Sequence, residues 1–161
     1  MVAVTDRVAL VKISGRANFT SSVSFKTLVY GLRDRGYRRF LLDVTECPIM
    51  DSTFLGVLAG FGLKLGEAAG SVSLLNANER IRDLLDNLGV GHLFQLIEGQ
   101  DPLSAKCRPI ESSADGENRL ETSRTCLEAH ETLMAINPSN IPKFKDVTRF
   151  MAEDLKRMEA R

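Results

Sequence analysis

One short segment carries residue types that could do chemistry, Met50-Asp51-Ser52-Thr53-Phe54-Leu55-Gly56. Asp, Ser and Thr directly before an apolar helical run are the residues that satisfy the free N–H groups of a first helical turn. Capping alone accounts for their presence. The same position also suits an anion, because the unpaired N–H groups and the helix dipole both point at it. A phosphate on the Ser52 hydroxyl would bring about −1.5 to −2 units of charge to a place that tolerates it. Next to Asp51, that charge would repel a partner docking apolar or acidic groups there. On the residues alone, the plain cap and the phosphorylation switch both stay open.

Other chemistry is thin. The two histidines are His92, beside Gly91 at a predicted strand start, and His130, in the middle of a predicted helix. Each reads as a surface or satisfied structural residue, not as a general base. No His-x-x-x-His or Cys-x-x-Cys spacing offers a metal site. There is no Gly-x-Ser-x-Gly elbow and no Walker-type loop. The glycines from Gly56 to Gly66 fall inside a predicted helix, where each costs about 1 kcal/mol against alanine. They therefore imply close approach of that helix to the sheet. A phospho-aspartate receiver needs acidic residues clustered at strand ends. Here the first strand ends in Ile13-Ser14-Gly15-Arg16, and Asp43 stands alone. No catalytic residue, metal or cofactor is expected, and the chain does not read as an enzyme.

The elements that must position Ser52 follow from periodicity. Residues 8–13 form a short β-rich run stopped by Ser14-Gly15. Thr20, Ser21 and Ser22 offer caps for a helix with Phe25, Leu28, Val29 and Leu32 on one face, ending near Gly36. Residues 39–44 read as a buried strand, and a second helix runs from Ser52 or Thr53 to Gly66. Residues 72–75 form the next strand. Asn78 can cap a third helix, with Ile81, Leu84, Leu85 and Leu88 on one face, stopped by Gly89. His92 to Ile97 is a last extended piece. This β-α-β-α-β-α-β order predicts an α/β layer fold with parallel strands and right-handed crossovers.

After Glu98 the texture changes to an aperiodic polar stretch with Pro102, Pro109, Ser112, Ser113 and Gly116, so residues 98–118 read as a linker. Two helices are predicted beyond it. The first, roughly 119–136, has Leu120, Leu127 and Met134 at seven-residue spacing. The second begins with Pro142 in its first turn and carries Phe144, Val147, Met151, Leu155 and Met158 as an apolar stripe. Such a hairpin is too small to stand alone. It packs back on the α/β domain or pairs with another chain, which would make a homodimer through the C-terminal helices.

Bulk properties set the outer limits. Lys plus Arg and Asp plus Glu are 21 each, so no net charge draws the chain of 161 residues to nucleic acid or anionic lipid. Arg33, Arg35, Arg38 and Arg39, opposed only by Asp34, form one basic patch, read as a solvated helix end. The longest apolar run, Phe54 to Leu63, is about half of what a membrane span needs. The N-terminus shows neither a basic region nor a cleavage site. Cys47, Cys107 and Cys126 are odd in number and suit free thiols in a reducing compartment. A cytoplasmic protein is expected, with no membrane and no nucleic-acid partner.

These pieces together resemble the STAS family, and within it the anti-sigma factor antagonists. The matching residues are Asp43-Val44-Thr45, then Met50-Asp51-Ser52-Thr53 with Leu55-Gly56-Val57-Leu58. Further on, Leu74-Leu75-Asn76-Ala77-Asn78-Glu79-Arg80-Ile81 resembles the strand-to-third-helix junction, and Leu85 to Phe94 the close of the domain. The likeness covers about residues 6–97, and sets a STAS domain over 1–97, a linker over 98–118 and a helical extension over 119–161. It implies an α/β fold with a small sheet of four or five mostly parallel strands flanked by helices, joined here by a C-terminal helical hairpin. It also implies a function built on binding: the unmodified form captures an anti-sigma factor or related serine kinase. That kinase, with its own ATP and magnesium, phosphorylates Ser52, and a PP2C-type phosphatase restores it. Thr53 is the fallback acceptor. Asp51, Thr53, Phe54, Gly56, Asn18 and Asn78 are the partner-binding candidates. Phe54 stands where many antagonists carry glycine, and either enlarges the docking surface or plugs the core. Asn18 replaces a common Asp in the loop before the first helix, with consequences for kinase recognition. The alternative is a STAS scaffold or ligand-binding subunit of another assembly with no phospho-switch, in which Asp51-Ser52-Thr53 is only a cap.

Overall fold

The structure, a computed structural model, describes residues 2–5, 8–100 and 119–160. Five strands form one sheet in the order β1 (Val2–Thr5), β2 (Val8–Lys12), β3 (Arg39–Asp43), β4 (Ser71–Leu75) and β5 (Gln95–Ile97). β2 to β5 pair in parallel, each joined to the next by a helical crossover. β1 pairs antiparallel with β2. The sequence reading did not place this strand. Only two residues separate it from β2, a connection that permits a hairpin and no crossover.

The helices are α1 (Phe19–Asp34), α2 (Ser52–Glu67), α3 (Glu79–Leu88), α4 (Arg119–Ile136) and α5 (Ile141–Glu159). Three aromatic rings tie the first layer together. Phe61 of α2 meets Phe40 of β3 edge-on at 4.8 Å and Tyr30 of α1 at 5.2 Å. Ile81, Leu85 and Leu88 bring α3 into the same core. α3 ends at Gly89, whose φ of +67° is the left-handed conformation that glycine adopts without strain.

Two local expectations change. The cap of α1 is Asn18 and not Thr20 to Ser22. Its carboxamide oxygen accepts the Thr20 N–H at 3.1 Å, and the Ser21 hydroxyl accepts the Asn18 N–H at 3.2 Å. The three hydroxyl residues lie inside the first turn instead of preceding it. The last extended piece is shorter than His92 to Ile97, because Gly91–Leu93 coils into a 3-10 turn before β5.

The C-terminal helices fold back on the domain. α2 is buried from Thr53 through Ala59 and again at Phe61, Gly62 and Leu65, all round its axis. A helix apolar on every side needs cover on the side facing away from the sheet. α4 supplies it, presenting Thr125, Ala129, His130 and Leu133. The spaced residues Leu120, Leu127 and Met134 are only half-buried, so they are not the docking stripe. Close approach to Gly56 demands small side chains, and Ala129 supplies one. α5 then packs on α4, with Phe144, Met151, Leu155 and Met158 half-buried and Val147 exposed. The turn between them is fastened to α3. Asn140, fully buried, donates to the carbonyls of Leu88 at 2.8 Å and Leu133 at 2.9 Å. The expected linker, with Cys107, lies outside the described residues over 101–118. Among the described residues no helix is long and apolar enough to cross a membrane.

Candidate functional site

Two loops meet at the end of the sheet and build the site. Residues 14–18, after β2, run beside residues 46–51, after β3. The Ala17 N–H donates to the Ile49 carbonyl at 3.0 Å, and the Asp51 N–H to the Ala17 carbonyl at 2.9 Å. This seats Asp51 between two helix N-termini. Its Oδ1 accepts the Phe54 N–H of α2 at 2.8 Å, and its Oδ2 accepts the Phe19 N–H of α1, also at 2.8 Å. One carboxylate therefore caps both helices.

Ser52 is the first residue of α2 and is half-buried. Its Oγ lies 2.9 Å from Nε2 of His130, a residue of α4 that is 4% exposed. Nδ1 of the same ring lies 2.7 Å from the Cys126 carbonyl oxygen. A carbonyl only accepts, so Nδ1 carries a proton; in the neutral ring Nε2 therefore accepts and the Ser52 hydroxyl is the donor. Phe144 of α5 packs edge-on against the imidazole at 4.9 Å. Next to this pair, the Thr53 hydroxyl donates to Cys126 Sγ at 3.7 Å, and Ala129 lies over Gly56.

Several expected site residues take other roles. Phe54 is 2% exposed and stacks on Phe25 at 4.6 Å, so it plugs the core and forms no part of a docking surface. Gly56 is covered by α4 in this structure, and the close approach expected to the sheet is at this glycine made to a helix, at Ala129. Thr53, 6% exposed and bonded to Cys126, is shielded by α4 and is a poor fallback acceptor. Asn18 caps α1. Asn78 caps α3 through the Ile81 N–H and donates to the carbonyls of Cys47 and Pro48, which holds the loop leading to Asp51. What faces solvent around Ser52 is Asp51 together with Phe19, 49% exposed, and Ile49, 43% exposed. Neither apolar residue was singled out in the sequence, although each adjoins a marked position. His130 was read as structural, and nothing in the sequence linked it to a serine 78 positions away.

Serine bonded to an oriented imidazole is the arrangement of a nucleophile and its base. The crevice between α1, α2 and α4, of about 80 Å³, is lined by Lys26, Tyr30, Gly56, Gly60 and Glu128 but not by Ser52. It offers no seat for a substrate at the hydroxyl. Among the described residues no group of three or more His, Cys, Asp or Glu could hold a metal ion.

The two described thiols are held back from reaction. Burial pushes the Cys126 thiol up, the Thr53 hydrogen bond opposes this, and the negative Asp51 adds to it. Burial also pushes up Cys47, against hydrogen bonds with the backbone of Ala17 and Ile49. Both stay protonated to higher pH than an exposed thiol, and the thiolate is the nucleophile. Native protein treated with iodoacetamide at pH 8 should carry little adduct at Cys47 or Cys126 by peptide mapping, with prompt labelling of both in urea. The linked stability is present below the ordinary thiol pKa and is lost as pH rises above it, because the unfolded chain releases its protons first. Rapid native labelling at both positions would contradict this burial.

The STAS domain family model matches residues 1–103, more than half of the chain. The chain belongs to the STAS domain family. α4 and α5 lie beyond the matched residues. Solved structures show the same STAS fold. The Thermotoga maritima protein TM1081 superposes with a TM-score of 0.58 at 19% identity, covering 66% of this chain and 90% of that one. The phosphorylated form of SpoIIAA, a Bacillus cell fate determinant, gives 0.54 at 17% identity over 66% and 96%. An anti-sigma factor antagonist from Mycobacterium paratuberculosis gives 0.55 at 19% identity over 68% and 92%. No curated protein matches the sequence.

Proposed function

We propose that this STAS protein is a phosphorylation-switched regulatory binding protein that captures an anti-sigma factor or related serine kinase when Ser52 is unmodified. The observation that carries the reading is the place of the hydroxyl: first residue of α2, half-buried, with exposed Phe19 and Ile49 and the Asp51 carboxylate around it. The apolar pair gives a partner something to bury, and a phosphate on the residue after Asp51, which itself bonds the Phe19 N–H, would add charge close to that surface. That SpoIIAA occurs in a phosphorylated form, and that fold relatives act as anti-sigma factor antagonists, supports the reading. On it the protein is a cytoplasmic binding module and not an enzyme; a kinase adds the phosphate and a PP2C-type phosphatase removes it. A homodimer, in the same reading, uses the outer side of α5, where Val147 and Phe150 are exposed.

The Ser52–His130 hydrogen bond favours the second reading, a scaffold or ligand-binding subunit in which Ser52 is only structural. Intact mass of protein isolated from its own cells separates the two. The switch predicts a population heavier by one phosphate, mapped to Ser52 and lost in Ser52→Ala. It also predicts that Ser52→Asp weakens binding of the captured kinase at least tenfold. Absence of the phosphate together with undiminished binding by Ser52→Asp leaves the scaffold.

A further inference from the structure

The geometry points to the α4–α5 hairpin as a built-in cover for α2, latched by the Ser52–His130 hydrogen bond and unlatched by phosphate on Ser52. This rests on Ser52 being the phosphorylation site.

The latch is a single bond across a closed contact. At 2.9 Å between Oγ and Nε2 there is room for a proton and nothing else. A phosphoryl group replaces that proton with four heavy atoms, so the phosphorylated side chain cannot stay where the hydroxyl was. If the phosphate remains on the α4 side, His130 must leave. If it turns to solvent, Nε2 loses its donor in a site only 4% exposed, while Nδ1 stays committed to the Cys126 carbonyl. Either way the segment of α4 around His130 loses its seat. The neighbouring polar contacts are weak holds: Thr53 to Cys126 Sγ at 3.7 Å, and Lys26 to Glu128, an exposed ion pair at 2.9 Å. The other end is held more firmly, with Asn140 bonded to the end of α3 and Leu133 fully buried. Release at His130 therefore tilts α4 about its C-terminal end rather than detaching the hairpin.

The tilt matters because of what it uncovers. Under α4 lie Gly56, Gly60 and, beside them, Tyr30 and Lys64. Gly56 has no side chain, so a helix backbone can approach there as closely as Ala129 does now. The uncovered face fits a partner helix presenting an alanine or glycine at the crossing. The unmodified chain thus shows the Phe19–Ile49 surface and hides the glycine face; the modified chain charges the first and opens the second. The same cover restricts a kinase, whose phosphoryl donor must reach an oxygen that faces His130 of α4 at 2.9 Å.

The test compares full-length protein carrying genetically encoded phosphoserine at 52 with unmodified protein, by amide hydrogen exchange. Exchange over Thr125–Leu133 and Thr53–Gly60 should accelerate at least tenfold in the phosphoserine form, with β2, β3 and β4 unchanged. His130→Ala should accelerate the same segments without phosphate, and His130→Gln, whose amide oxygen can accept from Ser52, should restore protection. Unchanged exchange over Thr125–Leu133 in the phosphoserine form overturns the latch. If that form does not fold, the His130 pair decides: equal exchange in His130→Ala and unmodified protein also overturns it. The two proposals fail separately. Faster exchange in the phosphoserine form, with no phosphate at Ser52 in cellular protein, keeps the latch and removes the regulatory role. Cellular phosphate with α4 still protected does the reverse.

Discussion

Alanine at Gly56 lowers the melting temperature, whereas alanine at Gly60, one turn further along the same helix, raises it. A Cβ at Gly56 would lie 2.5 Å from the Ala129 carbonyl oxygen and 2.7 Å from its carbonyl carbon. Those are backbone atoms of α4 and cannot rotate aside, so α4 has to lift. Overpacking of this kind costs about 1–3 kcal/mol. Relief from a mid-helix glycine returns up to about 1 kcal/mol. With the backbone of a whole helix in the way, the clash wins. The expected net loss of about 1–2 kcal/mol corresponds to several degrees in a domain of this size. At Gly60 the nearest atom to a new Cβ is Thr132 Cγ2 at 3.4 Å, an ordinary contact. Only the propensity gain remains, and the melt should move up by a degree or more. Gly31, with nothing within 4 Å, serves as the open reference in α1. Thermal melts of the three variants decide the matter. Shifts of the same sign at Gly56 and Gly60 would mean that α4 does not sit on α2 as described.

Loss of the Asp51 carboxylate should cost more than an ordinary helix cap. Replacing a capping residue by alanine typically costs about 1 kcal/mol. Asp51 accepts from two helices at once, with both bonds at 2.8 Å and both assisted by charge. Asp51→Ala is therefore expected to lose about 2–4 kcal/mol in urea denaturation. Asn offers one carbonyl oxygen where Asp offers two, so Asp51→Asn can serve only one helix and should recover about half. A cost below about 1 kcal/mol for Asp51→Ala would show that one of the two bonds contributes nothing. The consequence for function is practical. Asp51 bonds to the first turns of both α1 and α2, so substitutions there disturb the fold along with any proposed switch, and Ser52 and His130 are the positions that test the switch.

Much of this architecture is written in local patterns. The apolar runs at residues 8–12, 39–43 and 71–75 became parallel strands because helix-period stretches of adequate length separate them. Gly89 ended α3 and Asp51-Ser52 opened α2 for reasons confined to a single turn. β1 escaped notice because four residues at a chain end carry no period to read, and only pairing with β2 makes them a strand. The seven-residue spacing in α4 misled for a related cause. It marks large side chains, while the surface that α4 meets contains Gly56 and selects small ones.

Ser52 could be picked out from its own neighbours, since capping and anion tolerance are properties of a first helical turn. Which atoms surround it could not. That Asp51 serves α1 as well as α2, that Phe54 faces Phe25, and that Phe19 and Ile49 are left outside all depend on two loops pairing side by side. The bond to His130 is the most distant consequence. It exists because the first turns of α2 are buried all round, and among the described residues α4 covers the side that faces away from the sheet. Such a demand comes from the assembled layers, and no stretch of chain announces it.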